Sequence, residues 1–354
     1  MRVSVGACLL WVLGMTLGSA AAQSDARLVR ELAVIPAPSG SEAKLMEAIA
    51  HASALPAGRR DNLGNLSYAV GQGPKPLLLV TEVDEPGYVV SAVLPNGYLR
   101  LKEVVARSPM PPGYTQLLFG NRVSILTAKG PLAGVGVGLS IHLQPSRKPE
   151  TAPGYTGDDL YVDVGATSAA EVGAAGIELL DPVVPEHAVF DNNKGPILVG
   201  TALAARVAVP SLLHVLQGLT RQPSGRAIVV AFATQGAFGH RGLQRLLSEF
   251  DPSEVVLVRP FAAATESQGV HLDASDPAAS ARWKALTGTV LPGEPPGDPG
   301  LEALLHGRRY LDLRFPVSHL HSAAELVDMD TLNTVAPSLL RWCQSPAAAP
   351  EAPQ

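Results

Sequence analysis

The stretch Leu77-Leu78-Leu79-Val80-Thr81-Glu82-Val83-Asp84-Glu85-Pro86-Gly87 constrains the fold more than any other part of the chain. Its aliphatic run reads as a buried strand, and it ends abruptly in acidic residues. In an open α/β sheet the carboxyl end of such a strand is where ligands and metals bind, so carboxylates bunched there need a reason. A solvated loop is the other reading, and this stretch alone leaves both open.

The flanking sequence supplies helices to cover that strand. Residues Ser24 to Val34 have a helical pattern, with Leu28 and Leu32 one turn apart, and Ile35-Pro36-Ala37-Pro38 stops it. Ser39-Gly40-Ser41-Glu42 has the spacing of a capping box and is expected to open a helix running to about Ala50. Asp61 to Leu66 reads as a turn feeding a strand at about Leu66–Val70. Beyond Val89 the character changes to short strands punctuated by Pro95-Asn96-Gly97, Lys129-Gly130 and Asn192-Asn193, with no long helical pattern before Pro196. Gly134-Val135-Gly136-Val137-Gly138 lacks the spacing of a dinucleotide loop and reads as a strand approached closely by other backbone. Alternation then resumes: a helix over Thr201–Leu219, a strand over Ala227–Ala233, a helix over Arg241–Phe250, strands at Val255–Val258 and Tyr310–Phe315, and a helix over Asp330–Trp342.

The expected fold is therefore α/β: a mainly parallel sheet flanked by helices, with an inserted small β-barrel-like domain. Residues 23–88 plus 197–343 form the α/β part, residues 89–196 the insertion, and residues 344–354 a disordered Pro/Ala-rich tail. A net charge of −5 offers no electrostatic footprint for nucleic acid. At the N-terminus Arg2, the apolar run Val5 to Leu17 and Ala20-Ala21-Ala22 make a signal peptide over residues 1–22, cut before Gln23. A membrane anchor is the alternative, but the run is short for a span. Cleavage removes Cys8 and leaves Cys343 as the single thiol, so no internal disulfide is expected, and the protein is placed in the periplasm or outside the cell with no membrane span.

Taken together, these segments resemble the di-zinc aminopeptidases of the glutamyl aminopeptidase and cellulase-M-like family, whose members form tetrahedral assemblies. Ile35 to Glu42 looks like the family's N-terminal signature, and Asp61 to Leu66 like its D-x-L-G-N-L. Leu77 to Val90 looks like the strand carrying H-M-D-E-x-G, Asp163-Val164-Gly165-Ala166 with Gly176-Ile177 like the end of the inserted domain, and His321-Ser322 with Glu325 like the closing H-S-P-x-E.

The resemblance implies two zinc ions held by two His and three carboxylates, with a Glu as general base, and most of these positions are changed here. The first His falls on Glu82, while the neighbouring Asp84 and Glu85 match. The bridging Asp falls on Ala204, in Leu203-Ala204-Ala205-Arg206, where only Leu203 and Arg206 are kept. The motif T-Q-E-E-x-G-x-R-G reads Thr234-Gln235-Gly236-Ala237-Phe238-Gly239-His240-Arg241-Gly242, which puts Gly236 at the base and Ala237 at a ligand position. The third carboxylate falls on Arg259, which stays protonated and repels a cation, and His321 alone survives among the five ligands. No catalytic residue is assigned, and Glu82 with His321 cannot hold a zinc pair.

The reading that follows is a pseudopeptidase with no cofactor, acting in binding or assembly: peptides in a relict cleft, or a homo-oligomer or an active paralogue joined through the inserted β-domain. The alternative is an active aminopeptidase with a rebuilt or single-metal site carrying zinc or cobalt, for which Glu82, Asp84, His240, His319 and His321 are the nearby donors. His319 and His321 would alternate along an extended segment and point to opposite faces, and His240 reads as a polar residue on a loop. If Arg259 replaces the metal, it should pair with Glu82 or Asp84. No G-x-S-x-G, H-E-x-x-H, CxxC or P-loop pattern suggests another chemistry.

Overall fold

The computed structural model describes residues 25–56, 58–104, 114–138, 159–192, 195–263, 269–287, 290 and 297–345; the expected signal peptide lies outside them. A ten-stranded mixed sheet forms the body. Its centre is four parallel strands in the order Ile228–Ala233, Leu77–Glu82, Glu254–Ala263 and Tyr310–Ser318. Antiparallel pairing extends it at both edges, through Leu66–Val70 and Arg59–Arg60 on one side and Glu325–Asp328, Ile197–Gly200 and Val189–Asp191 on the other. The parallel character read from the sequence belongs to the centre, where both faces are covered and the strands are mostly apolar.

Leu77-Leu78-Leu79-Val80 shows how the layers form. Successive side chains of a strand point to opposite faces. Leu77 and Leu79 enter a core built with Leu45, Met46 and Ile49 of helix Ala43–Ala52, with helix Ala208–Arg221 and with helix Met329–Gln344. Leu78 and Val80 enter the opposite core with Leu243, Leu246 and Leu247 of helix Arg241–Phe250 and with Leu301 and Leu305 of helix Pro299–Leu305. All four are buried, each contributing roughly 1.5–3 kcal/mol by leaving water.

The insertion is a closed, antiparallel six-stranded barrel in the order Gly87–Val93, Leu99–Val104, Tyr161–Asp163, Gly130–Val137, Arg122–Thr127 and Pro182–Pro185. Its own core holds Tyr88, Val90, Leu101, Ile125, Val162 and Val183. The close backbone approach read into the glycine run is found at Gly136, where a Cβ would sit 1.9 Å from the Leu118 carbonyl oxygen. Barrel strands run from Gly87 to Pro185, short of the boundary expected at 196, because Val189–Asp191 crosses back to pair with Ile197–Gly200 in the main sheet.

Three local readings differ from the structure. The capping box does not form: Ser39 Oγ donates to Asp84 instead, and the Glu42 carboxylate takes the amides of Gly40 and Gln235. Helical backbone begins at Ala208 rather than at Thr201, because residues 201–207 wind through turns beside the cavity described below. The last helix continues to Gln344, the first residue of the expected tail, and residues 346–354 lie outside the described residues.

Candidate functional site

A cavity of about 730 Å³ opens at the carboxyl ends of the central parallel strands, where an open α/β sheet places its ligands. Glu82, Ala204, Gly236, Ala237, Arg259 and His321 all line it, with the neighbours Asp84 and Glu85. These positions, far apart in sequence, converge because each lies on or just beyond one of the strands or on the turn that follows Ile197–Gly200.

Each carboxylate at the end of the Leu77–Glu82 strand has a different partner. Glu85 is buried against Arg206, at 3.0 Å from its Nη2, and against His187, at 3.0 Å from its Nε2, and it accepts the Ala37 amide at 2.6 Å. Burial alone would raise its pKa, but His187, Arg206 and the hydrogen bonds outweigh it and hold the group at about 2. Arg206, with 0% exposure, also donates to the carbonyls of Val83 and Ile35 at 2.8 and 3.1 Å, tying the N-terminal segment to the strand end.

Asp84 turns to the loop after Ile228–Ala233, accepting the amides of Gly236 at 2.7 Å and Ala237 at 3.0 Å, with the Ser39 hydroxyl as a third donor. Its pKa is raised, first by burial and then by the charge of Glu82, against the pull of those donors. Glu42 stands behind this loop with its pKa raised to about 6, first by burial and then by the charge of Asp84.

Glu82 meets His240, whose Nδ1 lies 2.9 Å from both carboxylate oxygens, while Nε2 lies 3.2 Å from Asp298 Oδ2. Burial would favour the neutral ring, yet the two flanking carboxylates overcome it and raise the His240 pKa to about 10. The reading of His240 as a plain loop residue is therefore corrected: it is an imidazolium clamped between two acids, in a left-handed conformation with φ 59°.

Arg259 also differs from expectation. Its guanidinium forms a fork on Asp312, with Nε 2.9 Å from Oδ1 and Nη2 2.8 Å from Oδ2, and Nη1 reaches Asp298 at 3.4 Å. No ion pair joins it to Glu82 or Asp84 among the described residues. The reason is register: Arg259 is opposite Arg314 on the parallel neighbour, and Asp312, two residues earlier, points to the same face. Buried Arg314 donates to Asp312 through Nε at 2.7 Å.

His319 and His321 lie on a turn with left-handed backbone, not on an extended segment. His319 is exposed, whereas His321 lines the cavity, with its pKa lowered by burial. Glu325, raised to about 7 by burial, accepts the amides of Ala204 at 2.9 Å and His321 at 2.8 Å and so joins the two turns.

The zinc pair implied by the resemblance does not fit these residues. Ala204, Gly236 and Ala237 offer no side-chain donor, Arg259 is a cation, and Glu82 is engaged by a protonated ring. Among the described residues no cluster of three or more His, Cys, Asp or Glu is arranged to hold a metal ion. His240 as a clamp, Asp298 and Asp312 escaped sequence reasoning. No local pattern near Asp298 or Asp312 pointed to the site.

Fold and cavity together define an aminopeptidase-like metallopeptidase fold. The chain is similar to an aminopeptidase from Desulfurococcus kamchatkensis, with TM-score 0.78 and 18% identity over 92% of this chain and 96% of that one. It is also similar to the TET1 peptidase of Pyrococcus horikoshii, which can assemble into a tetrahedron or a large octahedral shell, with TM-score 0.76 and 22% identity over 90% and 98%. At these identities the likeness is one of fold. The family model described as M42 glutamyl aminopeptidase matches residues 64–275, and the chain belongs to that family. A similar protein in Escherichia coli (strain K12), described as "Putative aminopeptidase FrvX", is 26% identical over 214 residues, covering 59% of this chain and 56% of its own length. The chain thus spans little more than half of that relative.

Proposed function

We propose that this chain is an exported, non-catalytic member of the family, one that binds in its cavity without hydrolysing what it binds. The observation that carries the reading is the Glu82–His240–Asp298 clamp, in a cavity where Gly236, Ala237, Ala204 and Arg259 stand at the base and ligand positions. Hydrolysis of a peptide needs an activated water and a group to take its proton. Here the carboxylates nearest that place are all engaged: Glu82 by an imidazolium, Asp84 by two amides and Glu85 by Arg206. What remains is a concave surface walled by small apolar residues and rimmed by charge, suited to holding a peptide.

A second role, in assembly, rests on the intact barrel, through which the chain would join copies of itself or an active paralogue. The assemblies of the TET1 peptidase give that role a precedent.

The test is metal analysis of the purified mature protein, with an aminopeptidase assay on aminoacyl substrates in the presence and absence of added zinc or cobalt. No stoichiometric metal and no turnover are expected. Stoichiometric zinc with turnover that disappears in His321→Ala would overturn the reading and establish the rebuilt site in its place.

A further inference from the structure

The corner of the cavity formed by His240, Arg259 and Asp298 is built unlike its surroundings. Two cations converge on one oxygen, Asp298 Oδ2, at 3.2 Å from His240 Nε2 and 3.4 Å from Arg259 Nη1. Both distances are long beside the 2.8 and 2.9 Å contacts that Arg259 makes with Asp312, and beside the roughly 2.7–2.9 Å usual for a charged N–H···O pair. Each cation has a second anchor besides Asp298. His240 is fixed by Glu82 through Nδ1, and Arg259 by the fork on Asp312. Asp298 is the most exposed of the group: its side chain is 32% exposed, against 13% for His240, 18% for Arg259 and 2% for Asp312.

We propose that this corner is a carboxylate-binding subsite that Asp298 fills as an internal stand-in, and that a ligand carboxylate takes its place. The proposal deepens the non-catalytic binding reading and rests on it. With Asp298 swung out, at the cost of its bond to the Leu301 amide, His240 Nε2 and Arg259 Nη1 aim at one point, a two-donor cradle whose donors stay where they are. Exchanging one carboxylate for another keeps the charge of the buried cluster unchanged, whereas leaving the corner empty would strand two half-paired cations. Glu82 and Asp312 flank the cradle, so a second negative charge on the ligand would be repelled. The subsite therefore suits a singly charged carboxylate over a phosphate dianion. The small apolar walls beyond it, Ala202, Ala205, Pro260 and Leu320, fit a compact apolar body behind that carboxylate.

A small organic acid and the C-terminus of a peptide carry the same group, and titration separates them. The mature protein and its Asp298→Asn variant are titrated calorimetrically with acetate, with trialanine and with trialanine amide. Asparagine is the chosen replacement because it can still accept the Leu301 amide that Asp298 now takes at the start of its helix, preserving the cap while removing the charge.

Acetate is expected to bind the variant at least tenfold more tightly than the wild type. Trialanine gaining in parallel would make a peptide C-terminus the source, while a gain for acetate alone would make it a small acid. Adding Arg259→Gln to Asp298→Asn should abolish the gain. An unchanged acetate affinity in a variant that melts like the wild type overturns the proposal, as does an equal gain for trialanine amide. These outcomes are independent of the function test, because zinc-dependent turnover would overturn the non-catalytic reading whether or not the variant gains affinity for acetate.

Discussion

Replacing Arg206 by Met removes the charge at the heart of the strand end while nearly keeping the volume. The fully buried guanidinium gives up its ion pair with Glu85 and its bonds to the Val83 and Ile35 carbonyls. Stranding one partner of a buried pair costs about 3–5 kcal/mol. The acid side gives a similar size: holding Glu85 at about 2 instead of its ordinary 4.5 corresponds to about 3 kcal/mol, at about 1.4 kcal/mol per tenfold in proton affinity. Because that pKa is depressed, the stability is present above pH 4.5 and is lost as the pH falls toward 2. Urea denaturation of the wild type, Arg206→Met, Glu85→Gln and the double variant forms a complete cycle. Arg206→Met should lose about 3–5 kcal/mol, and the double variant should lose clearly less than the two single losses added together. It should also lack part of the wild type's decline in stability between pH 4.5 and 2. A single loss under about 1 kcal/mol, or strict additivity, would refute the claim that this pair holds the N-terminal segment to the sheet.

Raising the pH from 6.5 to 10 should lower the melting temperature in a step that His240→Gln removes. A folded pKa raised to about 10 contributes stability fully below the unfolded value near 6.5 and loses it as the pH climbs through 10; a wild-type curve matching the variant's over that range would contradict the clamp. Asn65→Ala should cost about 1–3 kcal/mol in denaturant melts, since buried Asn65 takes the Thr234 amide at 2.9 Å and also donates to the Gly242 carbonyl at 3.0 Å, and truncation leaves that amide unpaired. Gly236→Ala should cost about 1–3 kcal/mol by overpacking, because its Cβ would lie 2.9 Å from Asp84 Oδ1; a neutral effect would mean that the carboxylates yield easily.

The layers were legible because burial writes itself into composition: Leu77 to Val80 alternate between two cores and so must be apolar without interruption. That Ala204, Gly236, Ala237 and Arg259 meet in one cavity was legible because a resemblance assigns each a place in a motif around one site. What Arg259 and His240 pair with was not. Asp312 meets Arg259 only through the register of two parallel strands, and Asp298 reaches His240 from a segment with no local signal. Ser39 and Glu42 misled for the same reason. Their spacing satisfies a local capping rule, but tertiary partners, Asp84 and the Gln235 amide, claim both side chains. Helix Ala208–Arg221 was placed early because residues 201–207 are apolar enough to continue the pattern, while Ala202 adopts a left-handed φ of 55° that ends it.

The crowding around Gly236 sets an order on change. A side chain added there meets Asp84 Oδ1 and Glu82 Cδ at 2.9 Å and Glu82 Oε2 at 3.0 Å, so any larger residue must wait until Glu82 or Asp84 has moved. Glu82 in turn is held by His240, and His240 by Asp298. Introducing a carboxylate at position 236 one substitution at a time would mean dismantling this clamp from its outer end inward. Each early step would cost stability before position 236 could hold a side chain at all. The clamp and Gly236 are thus coupled: the arrangement of Glu82 and Asp84 holds only while the residue at 236 stays small.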